Sequence, residues 1–226
     1  QQVQEPEARA QLASSDAIGP LPSPPALVPR VVAIGRELFF SNVVSGDGRV
    51  SCSSCHLPEH GFADPQALSL AVGRPELAVN TPSLLNVAYL NAFNWNGKFT
   101  RLDQHLDALI QNPKIQGTTW SSLTERLAGS SEWRASFASA FADGVTAENA
   151  RTALLAYERS LVSPGAPFDR WLAGDRDAVS SQAREGFALF KSHGCVSCHQ
   201  GALVGGNLFQ RLGVMKPYFI DPARVR

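Results

Sequence analysis

Cysteine and histidine occur together in two Cys-x-x-Cys-His motifs, Cys52–His56 and Cys195–His199, which use all four cysteines of the chain. This pattern is the attachment signature of c-type haem. Two thiols about one helical turn apart can add to the two vinyl groups of one porphyrin, and the next histidine can bind the iron. We therefore expect two covalently bound haems. The attachment residues are Cys52, Cys55, Cys195 and Cys198, and the proximal iron ligands are His56 and His199.

Two other interpretations of the cysteines fit less of the pattern. Two Cys-x-x-Cys pairs can bind one zinc ion, but a four-cysteine site leaves both adjacent histidines unexplained. Disulfides between neighbouring cysteines are typical of small, cysteine-dense secreted domains. A chain of 226 residues with four cysteines is neither small nor cysteine-dense.

The composition excludes several classes of partner. The chain has 20 Lys and Arg and 20 Asp and Glu, so its formal net charge is zero. No long basic run predicts nucleic-acid binding, and no apolar stretch approaches the length of a membrane span. Residues 1–10 are polar and lack the apolar region of a signal peptide. Because haem is attached to this motif beyond the bacterial inner membrane, we expect a periplasmic protein whose signal peptide has been removed.

The pattern of apolar and helix-breaking residues predicts a mainly α protein. Residues 1–29 are rich in Pro, Ala, Gln and Ser and predict an extended arm. Apolar residues from Val31 to Phe39 recur at helical spacing. Thr81 before Pro82 predicts a helix that runs to about Leu90. Further helices are predicted at 100–111, 119–128, 131–142, 146–162 and 179–192.

The second half of the chain repeats the organisation of the first. In the last predicted helix, Ala183, Phe187 and Phe190 are spaced for one buried face. The segment Pro164–Pro167 is the expected break between two units. We therefore divide the chain into the arm at 1–29, a first haem domain at 30–163 and a second haem domain at 164–226.

Several blocks of sequence carry a specific resemblance. In chain order they are Ile34–Phe40, Ser51–His56, Gly61–Asp64, Asn80–Asn86, Asn94–Gly97, Ser163–Asp175 and Cys195–Phe209. In type and order they resemble the bacterial dihaem cytochrome c peroxidase family, which also contains MauG. The resemblance implies two cytochrome c-like helical domains, each with one c-type haem.

The same resemblance implies roles for the two haems and the residues between them. Hydrogen peroxide would react at the haem of His56, and the haem of His199 would relay electrons. The electrons would come from a small redox protein or, as in MauG, from residues of a partner protein that is the substrate. Trp95 would lie on the electron path between the haems, and Asn80 would hold an inter-haem calcium ion.

The distal side of the first haem departs from the family pattern. Family peroxidases carry a glutamine and a glutamate there; without gaps, His105 falls on the glutamine and Ile115 on the glutamate. Cleavage of a peroxide bond needs a proton moved between its two oxygens. His105, with an ordinary pKa near about 6.5, can do this work; alternatively it is a polar residue on a helix surface. No further histidine lies between His60 and Asn80, which favours an open first haem.

The second haem lacks an obvious distal ligand. In the family that ligand lies several tens of residues beyond the second motif, and this chain ends at Arg226, so we expect the family's C-terminal segment to be absent here. Met215, the only methionine, can bind the second iron as in small c cytochromes. A methionine packed in a core or loop is the alternative.

Two functions stay open from the sequence. The first is a periplasmic dihaem peroxidase-like oxidoreductase, with His105 and Trp95 in catalytic roles. The second is an electron-transfer cytochrome without a substrate site. The missing glutamate favours the second function, and the lack of a second histidine ligand for the first haem favours the first.

Overall fold

The computed structural model describes residues 17–66, 68–69, 80–210, 213 and 216, and these residues form a helical structure. Their α-helices are α1 Pro29–Phe40, α2 Leu102–Gln111, α3 Trp120–Gly129, α4 Ser131–Ala138, α5 Ala147–Ser160, α6 Pro167–Leu172 and α7 Ser181–Ser192. Short 3-10 turns lie at Asn42–Val44, Cys52–Ser54, Pro58–His60, Val87–Tyr89 and Cys195–Ser197. No β-strand forms within the described ranges. The predicted fold class, mainly α, is confirmed.

The core of the first unit lies between α1 and α5. The predicted apolar face of α1 is buried, and its members are Val31, Ile34, Leu38 and Phe39. Gly35 lies among them and lets α1 approach α5 closely, because an added Cβ would lie 1.8 Å from the carbonyl oxygen of Ala153. The same packing carries Phe39 to the start of the first haem motif, where its ring centre lies 6.4 Å from that of His56.

Helices α2, α3 and α4 complete this core with apolar side chains that include Leu106, Leu123 and Phe137. Helices α3, α4 and α5 are each preceded by a capping residue whose side-chain oxygen accepts a hydrogen bond from a backbone N–H of the first turn: Thr119, Ser130 and Thr146. The sequence therefore predicted these helices well. None of the helices in the described ranges is both long and apolar enough to cross a membrane.

The helix predicted from Thr81 to about Leu90 is wrong. The segment instead makes a turn at Asn86, whose φ is 63°, and only a 3-10 turn at Val87–Tyr89. Its backbone is held by the end of the same unit, because the Asn86 N–H donates to the carbonyl of Leu161 at 2.7 Å. The Asn86 side chain also exchanges hydrogen bonds with Ser163. These long-range bonds replace the local helix that Pro82 favours.

The second unit buries fewer apolar side chains than the sequence predicted. Pro167, the last residue of the predicted break between the units, is also the first residue of α6. The predicted buried face of α7 is wrong: Ala183 is exposed, and Phe187 and Phe190 are only half-buried. Phe187 packs on Trp171 of α6, with ring centres 5.4 Å apart. Among the described residues, short α6 and the loop after α7 are too small to cover this face.

The described part of the predicted arm, residues 17–28, is extended and ties the two units together. Its Ala17 carbonyl accepts a hydrogen bond from the Gly201 N–H at 2.7 Å. The Leu21 N–H donates to an Asp169 carboxylate oxygen at 3.0 Å. The Tyr89 hydroxyl donates to the Pro22 carbonyl at 3.0 Å. Residues 1–16 lie outside the described residues.

Candidate haem sites

The first motif folds into a compact turn that fixes the relative positions of the two thiols and the imidazole. Cys52–Ser54 is a 3-10 turn, and the His56 N–H donates to the Cys52 carbonyl at 3.0 Å. The turn begins with a reciprocal cap in which the Ser51 N–H donates to the Ser54 hydroxyl at 2.9 Å. Both thiols are free, and Cys52 packs against the core.

The His56 imidazole is oriented by a hydrogen bond to the backbone of Phe62. Its Nδ1 lies 3.0 Å from the carbonyl oxygen of Phe62. A carbonyl can only accept, so Nδ1 carries the proton and Nε2 has a free lone pair for iron. Burial lowers the pKa of His56, against the opposing effects of the Phe62 and Pro82 backbones and Asp64, and so favours the neutral form that binds metal.

The second motif has the same local geometry. Cys195–Ser197 is again a 3-10 turn, and the His199 N–H donates to the Cys195 carbonyl at 2.9 Å. The His199 Nδ1 lies 3.1 Å from the carbonyl oxygen of Val204, which again leaves Nε2 free. The Phe190 ring lies 5.9 Å from that of His199, as Phe39 lies beside His56.

The two residues that orient the histidines were missed from the sequence. Phe62 and Val204 both have left-handed backbones, with φ of 58° and 54°. This conformation is uncommon for any side chain and rare for a β-branched one. Strain of this kind persists where the surroundings require it, and here it aims each carbonyl at an imidazole. The neighbouring Gly61 and Gly205 are the only hint in the sequence that a turn is needed.

The donor set fits c-type haem better than the alternatives. Each motif offers two thiols and one imidazole with a free nitrogen, which is what covalent attachment and proximal ligation require. Burial raises the pKa of the Cys52 and Cys55 thiols. No group of three or more His, Cys, Asp or Glu comes together in the described ranges. All four cysteines are free, so the disulfide interpretation is wrong.

His105 is neither exposed nor near its ordinary pKa. It lies on α2 between the rings of Phe93 and Phe99, at 5.9 and 5.4 Å, and the Phe93 ring is stacked on it. Burial, with a smaller contribution from the charge of His56, lowers its pKa to about 4. The interpretation as a surface residue is therefore wrong, and the expected pKa near about 6.5 is corrected downwards. His105 is a neutral imidazole within electrostatic range of His56, the predicted ligand of the first iron.

Trp95 and Asn80, which the resemblance linked to the space between the haems, lie together. The Trp95 indole N–H donates to the Asn80 carbonyl at 2.8 Å, while the ring remains 59% exposed. The Asn80 amide N–H₂ donates to the carbonyls of Asp64 and Gln66 at 2.9 and 2.6 Å. These contacts fix the start of the segment that carries Trp95.

The remaining predicted residues have simpler outcomes. Met215, the proposed distal ligand of the second iron, lies outside the described residues. His60 and His193 are exposed. Ile115, at the position of the family's glutamate, is half-buried, and the neighbouring Gln116 is buried with a side-chain oxygen that has no hydrogen-bond partner.

A buried acid beside the first motif was also missed. Glu158 of α5 is 6% exposed, and burial raises its pKa to about 7 against the opposing charge of Arg159. Its charge in turn contributes to the raised pKa of the Cys52 thiol. The signal was present in the sequence, because Glu158 follows the buried Leu154 by one helical turn.

Known proteins place the chain in a family. A family profile described as Di-haem cytochrome c peroxidase matches residues 29–177, which is most of the described chain but ends before the second motif. The chain belongs to the di-haem cytochrome c peroxidase family. Its fold also resembles that of a crystallised MauG-like protein associated with microbial copper homeostasis, with a TM-score of 0.70 at 21% identity, over 89% of this chain and 62% of that one.

Curated members of this di-haem peroxidase family are similar over most of the chain. The cytochrome c551 peroxidase of Nitrosomonas europaea is 37% identical over 186 residues, which are 82% of this chain and 56% of that protein. The methylamine utilization protein MauG of Methylorubrum extorquens is 34% identical over 198 residues, or 86% and 56%. The chain thus spans about half the length of the curated relatives it matches.

Proposed function

We propose that this di-haem family member is an oxidoreductase that reduces hydrogen peroxide at the His56 site with electrons relayed from the His199 site. The observation that carries the proposal is His105, a neutral imidazole enclosed by Phe93 and Phe99 close to His56. Hydrogen peroxide, two electrons and two protons give two waters. A haem iron, when bound, supplies electrons to the peroxide bond.

The contribution of His105 is proton transfer. A neutral imidazole can accept the proton of the inner peroxide oxygen and return it to the outer oxygen, which then leaves as water. The low pKa of His105 makes its protonated form a strong acid, so the return of the proton is favoured. Phe93 and Phe99 pack against the ring and shield part of it from solvent. His105 thereby takes the role of the family's glutamate, whose position is occupied here by Ile115.

Substitution of His105 tests the proposal. His105→Ala should slow the reaction of the ferric protein with peroxide by roughly 10²–10⁴-fold, the usual effect of a lost general acid–base group. In the parent, the rate should fall as pH drops through about 4, where His105 becomes protonated. The exposed His60 supplies the matched control, since His60→Ala should change neither the rate nor the pH profile. If His105→Ala reacts as fast as the parent, proton transfer by His105 is excluded.

The second candidate is a di-haem electron-transfer cytochrome without a substrate site. Ile115 favours it, because an apolar side chain stands where the family has its acid–base carboxylate. In that case both irons have two strong axial ligands and the ferric protein does not bind cyanide. Rapid cyanide binding at one site per chain would exclude this candidate.

The finer parts of the proposal concern surroundings and partners. We assign the first haem domain to residues 30–163 and the second to 164–226, and Met215 to the second iron. We place the protein in the periplasm, with a small one-electron redox protein or a protein substrate as donor. A calcium ion near Asn80 would bind the side-chain oxygen of Asn80 and several further oxygens. No group of three or more His, Cys, Asp or Glu in the described ranges supplies them. Elemental analysis that finds no calcium in the purified protein would remove this ion.

A further inference from the structure

A single aromatic ring of the second unit rests on the turn that carries Trp95. At Gly97 an added Cβ would lie 2.6, 2.8 and 3.0 Å from the Cζ, Cε2 and Cε1 atoms of Phe209. Gly97 also has a φ of +64°, a backbone conformation that favours glycine. Two independent requirements therefore hold a glycine at this position: the shape of the turn and the ring that covers it.

The turn under Phe209 is ordered by its own hydrogen bonds. The Gly97 N–H donates to the Asn94 carbonyl at 3.0 Å, and Asn94 also has a left-handed φ of 71°. Trp95 lies inside this turn and is anchored on one side by its bond to Asn80. Phe209, from the second unit, contacts the opposite end of the turn at Gly97.

On its other side, Phe209 belongs to the loop that orients the second iron ligand. Val204, whose carbonyl accepts from His199, precedes Phe209 by one short stretch of chain. Within that stretch, Gly206 also meets the first unit, since an added Cβ would lie 3.4 Å from Cδ2 of Leu90. The approaches at Gly97 and Gly206 thus link the loop of His199 to the first unit, and the Phe209 ring touches Gly97 while remaining 56% exposed.

We propose that Phe209 is a positioning residue that couples the two haem sites by holding the Trp95 turn against the loop of His199. The proposal rests on the proposed function only in needing an electron to pass between the irons. One electron moves from the second iron to the first and is replaced by the one-electron donor protein. Phe209 is neither oxidised nor reduced; its ring contacts the turn at Gly97 and limits the motion of the turn.

The test compares Phe209→Ala with Leu208→Ala, a substitution of the adjacent exposed leucine. Photolysis of carbon monoxide from the partly reduced protein measures electron transfer between the haems without any peroxide. Phe209→Ala should slow this transfer about tenfold, and Leu208→Ala should leave it unchanged. Hydrogen exchange of the Gly97 amide should become faster in Phe209→Ala and not in Leu208→Ala. Phe209→Leu, which keeps most of the apolar contact, should lie between the parent and Phe209→Ala in both measurements.

Each other outcome overturns the proposal. An unchanged transfer rate with faster exchange makes Phe209 a purely structural contact. A slower rate with unchanged exchange at Gly97 excludes action through the Trp95 turn. Equal effects of Phe209→Ala and Leu208→Ala remove the special role of the ring. Failure of the parent to reduce peroxide would contradict the proposed function, but it would leave these peroxide-free measurements valid as a test of Phe209.

Discussion

Replacement of the buried acid Glu158 by glutamine should stabilise the protein at alkaline pH and have little effect at acid pH. Burial raises the pKa of Glu158 from 4.5 to about 7. Between these values the folded chain keeps a proton that the unfolded chain has lost, so the free energy of unfolding falls as pH rises through this window. Each pH unit in the window costs about 1.4 kcal/mol. At pH values of about 8 the charged carboxylate therefore costs roughly 3 kcal/mol.

Glu158→Gln removes the charge and keeps the shape. The variant should exceed the parent in free energy of unfolding by roughly 3 kcal/mol at pH about 8, and the difference should vanish as pH approaches about 4.5. Urea unfolding followed by far-UV circular dichroism, at a series of pH values, measures both curves. Glu185→Gln on the exposed surface of α7 is the control and should shift neither curve. A difference between parent and Glu158→Gln that does not change with pH would refute the reasoning.

Two further substitutions test the bridge and the core. Trp95→Phe should slow electron transfer between the haems by about tenfold. Haem content should stay unchanged, because the substitution nearly conserves volume. The control Trp133→Phe should leave the rate unchanged, and equal rates in the parent and both variants would remove Trp95 from the path. Gly35→Ala should destabilise the chain by about 1–3 kcal/mol in urea unfolding, because its Cβ would overlap the carbonyl of Ala153 and push α1 from α5. A Gly35→Ala protein as stable as the parent would mean that α1 and α5 do not pack this closely.

The chemistry of the sites was predictable because it is local. A Cys-x-x-Cys-His turn contains its own thiols and imidazole, so Cys52–His56 and Cys195–His199 could be assigned without any knowledge of the fold. The helices from 102 to 160 were predictable for a similar reason. Apolar spacing and capping residues such as Thr146 depend only on a few neighbouring residues.

What could not be predicted depends on contacts between distant segments. The helix expected after Pro82 loses to hydrogen bonds from Asn86 to Leu161 and Ser163, which no local pattern shows. The sequence predicts an ordinary pKa for His105, whereas burial beside Phe93 and Phe99, with a smaller contribution from the charge of His56, lowers it to about 4.

The ferric spin state of the two haems tests the central claim most directly. If His56 binds the first iron and no side chain lies opposite, electron paramagnetic resonance of the oxidised protein should show one high-spin ferric signal per chain. Cyanide should convert that signal to low spin, because a strong ligand then occupies the open position. Two low-spin signals that cyanide does not alter would contradict an open first site and the peroxide chemistry proposed for it.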